Sequence, residues 1–116
     1  MAIDLRGERC VACHKGAPRV TDAEITELSP LIPEWTIEHV NEVPRLTRVF
    51  RLPDWDKTMA FVERVGALAA EEDHHPRMIV SWGRVKVEWW THAIGYLHRN
   101  DFVMAAKCDE AFARLG

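Results

Sequence analysis

No stretch of the 116-residue chain approaches the ~18 consecutive apolar residues that a bilayer-crossing helix needs, so no membrane partner is expected. The first residues, Met1-Ala2-Ile3-Asp4-Leu5-Arg6, hold no basic region followed by an apolar stretch. No secretory signal is visible there, and the expected compartment is the cytoplasm. Positive charge is not in excess: 15 Lys and Arg stand against 18 Asp and Glu, a net −3. Binding to a phosphate backbone rests on clustered cations, so no nucleic acid is expected as a partner. Cysteine is scarce, with three residues, too few and too odd for a secreted disulfide scaffold. Cys10 and Cys13 form a CxxC and Cys108 lies far from them. One CxxC reads as half a zinc site, as a redox pair or, most simply, as two reduced thiols. Internal repeats and low-complexity tracts are also missing.

What remains is an ordinary soluble composition, 47% apolar and 28% charged, at the length of one domain. Residues 1–20, with Gly7, Gly16 and Pro18, read as an irregular arm, and residues 21–116 as a single domain. Thr21 with Glu24 three positions on makes a capping-box pattern and opens a short helix from about Asp22 to Leu28, which Pro30 and Pro33 end. Trp35 to Glu38 alternates as a short strand, Asn41 to Pro44 is turn-like, and Arg45 to Leu52 alternates again. Arg48 interrupts the apolar face of that second strand, which places it near a sheet edge.

Asp54 is an N-cap for a long helix to about Glu72, with Thr58, Phe61, Val62, Val65, Leu68 and Ala69 on one face. Lys57, Glu63, Arg64, Glu71 and Glu72 lie off that stripe, and Gly66 inside the helix implies tight packing. Met78 to Trp82 and Val85 to Trp90 form a hairpin around Gly83, and a last helix runs from about Asn100 to Leu115. The order helix, two strands, helix, two strands, helix predicts an α+β two-layer sandwich. Its four-stranded antiparallel sheet has helices packed on one face. Trp90, on the outward side of its strand, hints that the other face is covered by another subunit.

Six histidines are many for this length, and their placement matters more. Asp73-His74-His75-Pro76 sits where the long helix ends; His92 follows the clearest strand, and His98 lies in the next loop. A helix end and a strand end can share one rim of a sheet, so His74, His75 and His92 can converge although the last two lie 17 positions apart. Imidazole gives and takes protons near neutral pH, so such a group can serve as both acid and base. Pro76 biases His75 toward extended backbone, and Trp82 offers a flat apolar wall for a planar ligand. Two plainer readings stand beside this one. His74 and His75 suit a helix C-terminus on electrostatic grounds, and His74, His75 and His92, alone or with Cys10 and Cys13, are possible zinc ligands, although no HxH or HxxxH spacing is present.

Asp73-His74-His75-Pro76, then five residues to Trp82, nine to His92 and eight to Asp101, resembles the signature of the pterin-4a-carbinolamine dehydratases. Leu28, Trp35, Leu46-Thr47-Arg48-Val49-Phe50 and the Phe61 helix fit the same family, so the resemblance spans about residues 21–115. It implies a hydro-lyase that dehydrates 4a-hydroxytetrahydropterin to quinonoid dihydropterin, with no metal and no redox cofactor. It implies His74, His75 and His92 as catalytic residues, with His74 and His92 favoured as the proton-transfer pair. Asp73, Pro76, Trp82 and Asp101 become substrate-binding residues. A homodimer or homotetramer is implied, with an aromatic amino acid hydroxylase as possible pathway partner. Two positions depart from the family pattern: Ala70 stands where a charged residue is usual, and Asn100 where Arg often precedes the late Asp. Some members act as coactivators, so a dimerising interaction module with a vestigial pocket is the rival reading.

Overall fold

Thr21 closes the N-terminal arm as its capping-box pattern predicts: its Oγ1 accepts from Glu24 N at 3.1 Å and the Glu24 carboxylate accepts from Thr21 N at 3.0 Å. Helix α1 (Asp22–Leu28) follows, then a 3-10 turn at Ser29–Leu31 that takes Pro30 within its first residues. The computed structural model describes residues 3–12 and 14–115, so Cys13 and with it the CxxC pair lie outside the described residues. Strands β1 (Thr36–Val40) and β2 (Val43–Arg51) are joined by Asn41 and Glu42, both left-handed (φ 51° and 66°), the two-residue turn that matches strand twist. Pro44, expected in the turn, is in β2 opposite His39. Ladder pairing of β2 with the next strand over starts only at Leu46, so the missing N–H of Pro44 breaks no bond on that side.

Asp54 caps helix α2 (Trp55–Glu72) by accepting from Lys57 N at 2.7 Å. Strands β3 (Arg77–Ser81) and β4 (Arg84–Trp89) form the second hairpin, with Gly83 at φ +69°, and helix α3 (Arg99–Arg114) ends the chain. The sheet order is β1-β2-β4-β3, antiparallel throughout. Leu46, Phe50, Val85, Val87 and Trp89 form its buried inner face, covered by Phe61, Val65 and Ala69 of α2 and by Phe102, Ala105 and Cys108 of α3. Phe50 anchors this layer, 4.5 Å from Phe61 and 5.0 Å from Phe112 between ring centroids. The Cys108 thiol is pushed up to about 12 by burial, which makes it a packing group with no nucleophilic character.

Three readings are corrected by the structure. Strand β2 is bonded on both sides, and its inward Arg48 is accommodated by an ion pair with Asp109 at 2.5 Å and by lying 4.3 Å over Phe50. Glu72 is buried: it accepts from Cys10 N at 2.7 Å and pairs with Arg9 at 2.7 Å. These bonds belong to the arm, which also buries Leu5 and ties Glu8 to Arg99 at 2.7 Å. Gly66 is exposed, and a Cβ built there meets nothing within 4 Å.

Because Gly66 lies in a continuous helix with open space around it, Gly66→Ala removes only backbone freedom from the unfolded chain. It is expected to stabilise by up to about 1 kcal/mol, read as a rise in thermal midpoint. A fall would mean that the glycine is held by a contact outside the single chain.

Candidate active site

Helix α2 stops at Asp73, which adopts the left-handed conformation (φ 51°, ψ 45°) and whose N–H returns to Ala69 O. The N–H of His74 returns to the same carbonyl at 3.2 Å. The chain then leaves the helix through His74 and His75, and Pro76 leads it into β3. On the neighbouring strand β4, its last residue Trp89 points into the core, and Trp90, the next residue, turns to the outer face where it meets Arg45. Thr91 and His92 follow at the strand end, fastened by Thr91 N donating to Tyr96 O at 3.0 Å.

These two ends meet around a cavity of about 270 Å³ lined by Asp73, His74, His75, Thr91, His92 and Ala93. His74 is buried, whereas His75 and His92 are exposed to the cavity mouth and solvent. His74 lies parallel to Trp89 (centroids 5.7 Å, planes 6° apart), and His92 lies against Trp90 (4.5 Å, 23°). The two imidazoles therefore rest on successive tryptophans that face opposite sides of one sheet.

Behind His74 is Asp101, with no exposed surface. Its Oδ1 lies 2.6 Å from His74 Nε2, while Oδ2 accepts from Thr91 Oγ1 at 2.8 Å and from His98 N at 2.9 Å. A carboxylate can only accept, so across this contact the His74 ring proton sits on Nε2. His98, placed by the sequence in a loop, is the N-cap of α3: its Nδ1 accepts from Asn100 N at 3.0 Å. Burial holds the His98 imidazole below its usual range, with the nearby Asp101 charge opposing that shift.

The structure thus brings Asp73, His74, His75 and His92 to one cavity and sets Asp101 behind His74 as a buried support. Pro76 is the adjoining residue, immediately before β3 begins at Arg77. Trp82 is not brought there. It follows β3 at the far end from Pro76, 67% exposed beside the Gly83 turn, so it forms no wall for this cavity. Spacing alone missed Thr91, His98 and the flanking Trp89 and Trp90, although the Trp-Trp-Thr-His run at a strand end carried that signal. Among the described residues, no group of three or more His, Cys, Asp or Glu is arranged to hold a metal ion.

On the outer face Glu88 is buried, bonded by Arg45 at 2.9 Å and Arg77 at 3.1 Å, with Lys86 at 3.6 Å. Burial works to raise its carboxyl, but the two arginine hydrogen bonds prevail and hold it below the usual carboxylate range.

Residues 18–111 match the model of the family described as Pterin 4 alpha carbinolamine dehydratase. The chain is 54% identical over 114 residues to a protein of Gloeobacter violaceus provisionally named pterin-4-alpha-carbinolamine dehydratase 1, covering 98% of each. It is 47% identical over 112 residues to a provisionally so-named dehydratase of Chlorobium luteolum, covering 97% of this chain and 98% of the other. Among solved structures it resembles a transcriptional coactivator/pterin dehydratase from Brucella melitensis, with a TM-score of 0.73 and 26% identity over 81% of this chain and 98% of that one. The fold is also shared with a pterin dehydratase-like protein identified as a RuBisCO assembly factor in the alpha-carboxysome, at a TM-score of 0.59 and 22% identity, covering 67% of this chain and 88% of that one.

His98 generates a pH prediction. It is held neutral in the folded chain and titrates near 6.5 when unfolded, so the unfolded state binds the extra proton more readily. Its contribution to stability is complete above about pH 6.5 and is lost as pH falls toward the lower folded value. Thermal midpoints between pH 8 and pH 5 are expected to drop on acidification. In His98→Asn, a good N-cap that does not titrate, that drop shrinks. An unchanged pH profile in the variant would remove His98 from the explanation.

Proposed function

The chain belongs to the pterin 4 alpha carbinolamine dehydratase family, and from that premise we propose that it dehydrates 4a-hydroxytetrahydropterin to quinonoid dihydropterin and water. The observation that carries this reading is the convergence of three imidazoles on one cavity, one of them backed by a buried carboxylate. Elimination needs a proton delivered to the 4a-hydroxyl as the C4a–O bond breaks and a ring N–H proton removed as the C=N bond forms. No nucleophile is required, which agrees with an inert Cys108.

His74 suits the base role: Asp101 fixes its tautomer, orients its ring and stabilises the imidazolium that forms when it takes a proton. His92, solvent-exposed at the cavity rim, suits the acid that protonates the departing hydroxyl and is recharged from water. His75 and Asp73 are then the polar contacts that orient the pterin, Asp73 being a cavity-lining carboxylate able to accept from ring N–H groups. Asp101 acts through His74, so its role is positioning. The 4a-hydroxyl arises when a tetrahydropterin has given an oxygen atom to a substrate. We therefore place the reaction in recycling the cofactor of an aromatic amino acid hydroxylase.

The test follows dehydration of 4a-hydroxytetrahydropterin, generated in situ, by absorbance against the rate without protein. Wild type is expected to accelerate it, and His74→Ala to lose about 10²–10⁴-fold while keeping its fold by circular dichroism. No acceleration by folded wild type would sink the enzymatic reading in favour of the interaction module.

A further inference from the structure

His92 differs from His74 in what holds it. No carboxylate stands behind it among the described contacts; its ring lies instead against Trp90, at 4.5 Å and 23°. The Trp90 ring also carries the Arg45 guanidinium, whose Cζ sits 3.9 Å from the ring centroid. Arg45 comes from β2, two strand positions from the hairpin turn, and its side chain is only 14% exposed. Its Nη1 donates to Glu88 Oε1 at 2.9 Å, while its Nε is buried without a hydrogen-bond partner. A guanidinium that leaves one donor unpaired in order to cover an indole face is placed by the stack as much as by its ion pair. Glu88 is itself locked by Arg77 and Lys86, so the anchor does not move with Arg45.

We propose that Arg45 and Trp90 are positioning residues for His92: Arg45, anchored on Glu88, pins the Trp90 ring, and Trp90 sets the plane of the imidazole at the cavity. Neither residue lines the cavity, and both act through the histidine. An exposed side chain on a strand end would otherwise sample several rotamers, and each would move its nitrogens relative to a bound substrate. The stack makes the imidazole direction a property of the sheet, which is the rigid part of the molecule. In its kinetic consequence the proposal rests on the dehydratase reading; in its structural consequence it does not.

The experiment pairs kinetics with nuclear magnetic resonance of the His92 ring. Arg45→Met keeps the apolar stem and removes the cation, and Glu88 retains Arg77 and Lys86, so the fold is expected to survive. In wild type the His92 ring protons are expected upfield, shifted by the Trp90 ring current. In Arg45→Met that shift is reduced and kcat falls about tenfold with KM changed less than about twofold, because orientation is lost and binding contacts are not. Arg45→Lys restores part of both, since it returns the charge without the planar fork. Trp90→Leu, if it folds, abolishes the ring-current shift. A folded Arg45→Met with unchanged His92 shifts and unchanged kcat would overturn the proposal. So would a kcat loss that Arg45→Lys does not relieve at all. If wild type proves inactive while Arg45→Met still releases the His92 ring, the positioning stack stands and the dehydratase reading falls, so the two failures are told apart.

Discussion

The buried carboxylate of Asp101 is the constraint on which the site depends. A carboxylate removed from water costs several kcal/mol unless its oxygens are filled by good donors. Here the donors come from three places: His74 at the end of α2, Thr91 after β4, and the backbone of His98 at the start of α3. Satisfying one charge therefore requires that the helix end, the strand end and the next helix start lie together. The same residue closes the capping box of α3, so the helix that covers the sheet and the imidazole that faces the cavity are held by one group. Fold and chemistry are not separable at this point, and a change at Asp101 reports on both.

Around that centre the site is built on rigid elements. Trp89 belongs to the core and gives His74 a flat backing; Trp90 belongs to the outer face and gives His92 another. The end of β4 and the residue after it thus serve the two imidazoles separately, one enclosed and tied to a carboxylate, the other open to water. Two groups of the same type are thus given different environments within one cavity. The N-terminal arm adds a brace from outside. Its bonds to Glu72 and Asn100 fall on the residues just before the His-His-Pro turn and just before Asp101.

How much of this was legible in the sequence follows from how local each signal is. The capping box at Thr21, the Asp54 cap and the alternation of β4 are written within a few residues, and the helices and strands appear where those patterns place them. The His-His-Pro turn and His92 were marked by their spacing as residues of one rim, and they line one cavity. Arg48 misled because a charge on an apolar face normally means an edge, and its partner Asp109 is 61 residues away. Glu72 misled in the same way, with its partners in the arm. Gly66 implied packing, yet it faces open space. Trp82 has the right residue type at the right spacing, but a hairpin carries it to the far end of the strand from Pro76.

The sequence by itself determined which elements form and which residue types stand at their ends, because caps, turns and periodicity depend on neighbours in the chain. That was enough to bring the histidines of a helix end and a strand end to one rim. Tertiary structure alone decided what each histidine meets there. Asp101 meets His74, while Arg45 and Trp90 meet His92, across strand pairing and helix packing that no local pattern encodes. The reason is physical: the state of an imidazole is set by the charges and rings within a few ångströms of it, and in this fold those come from distant parts of the chain.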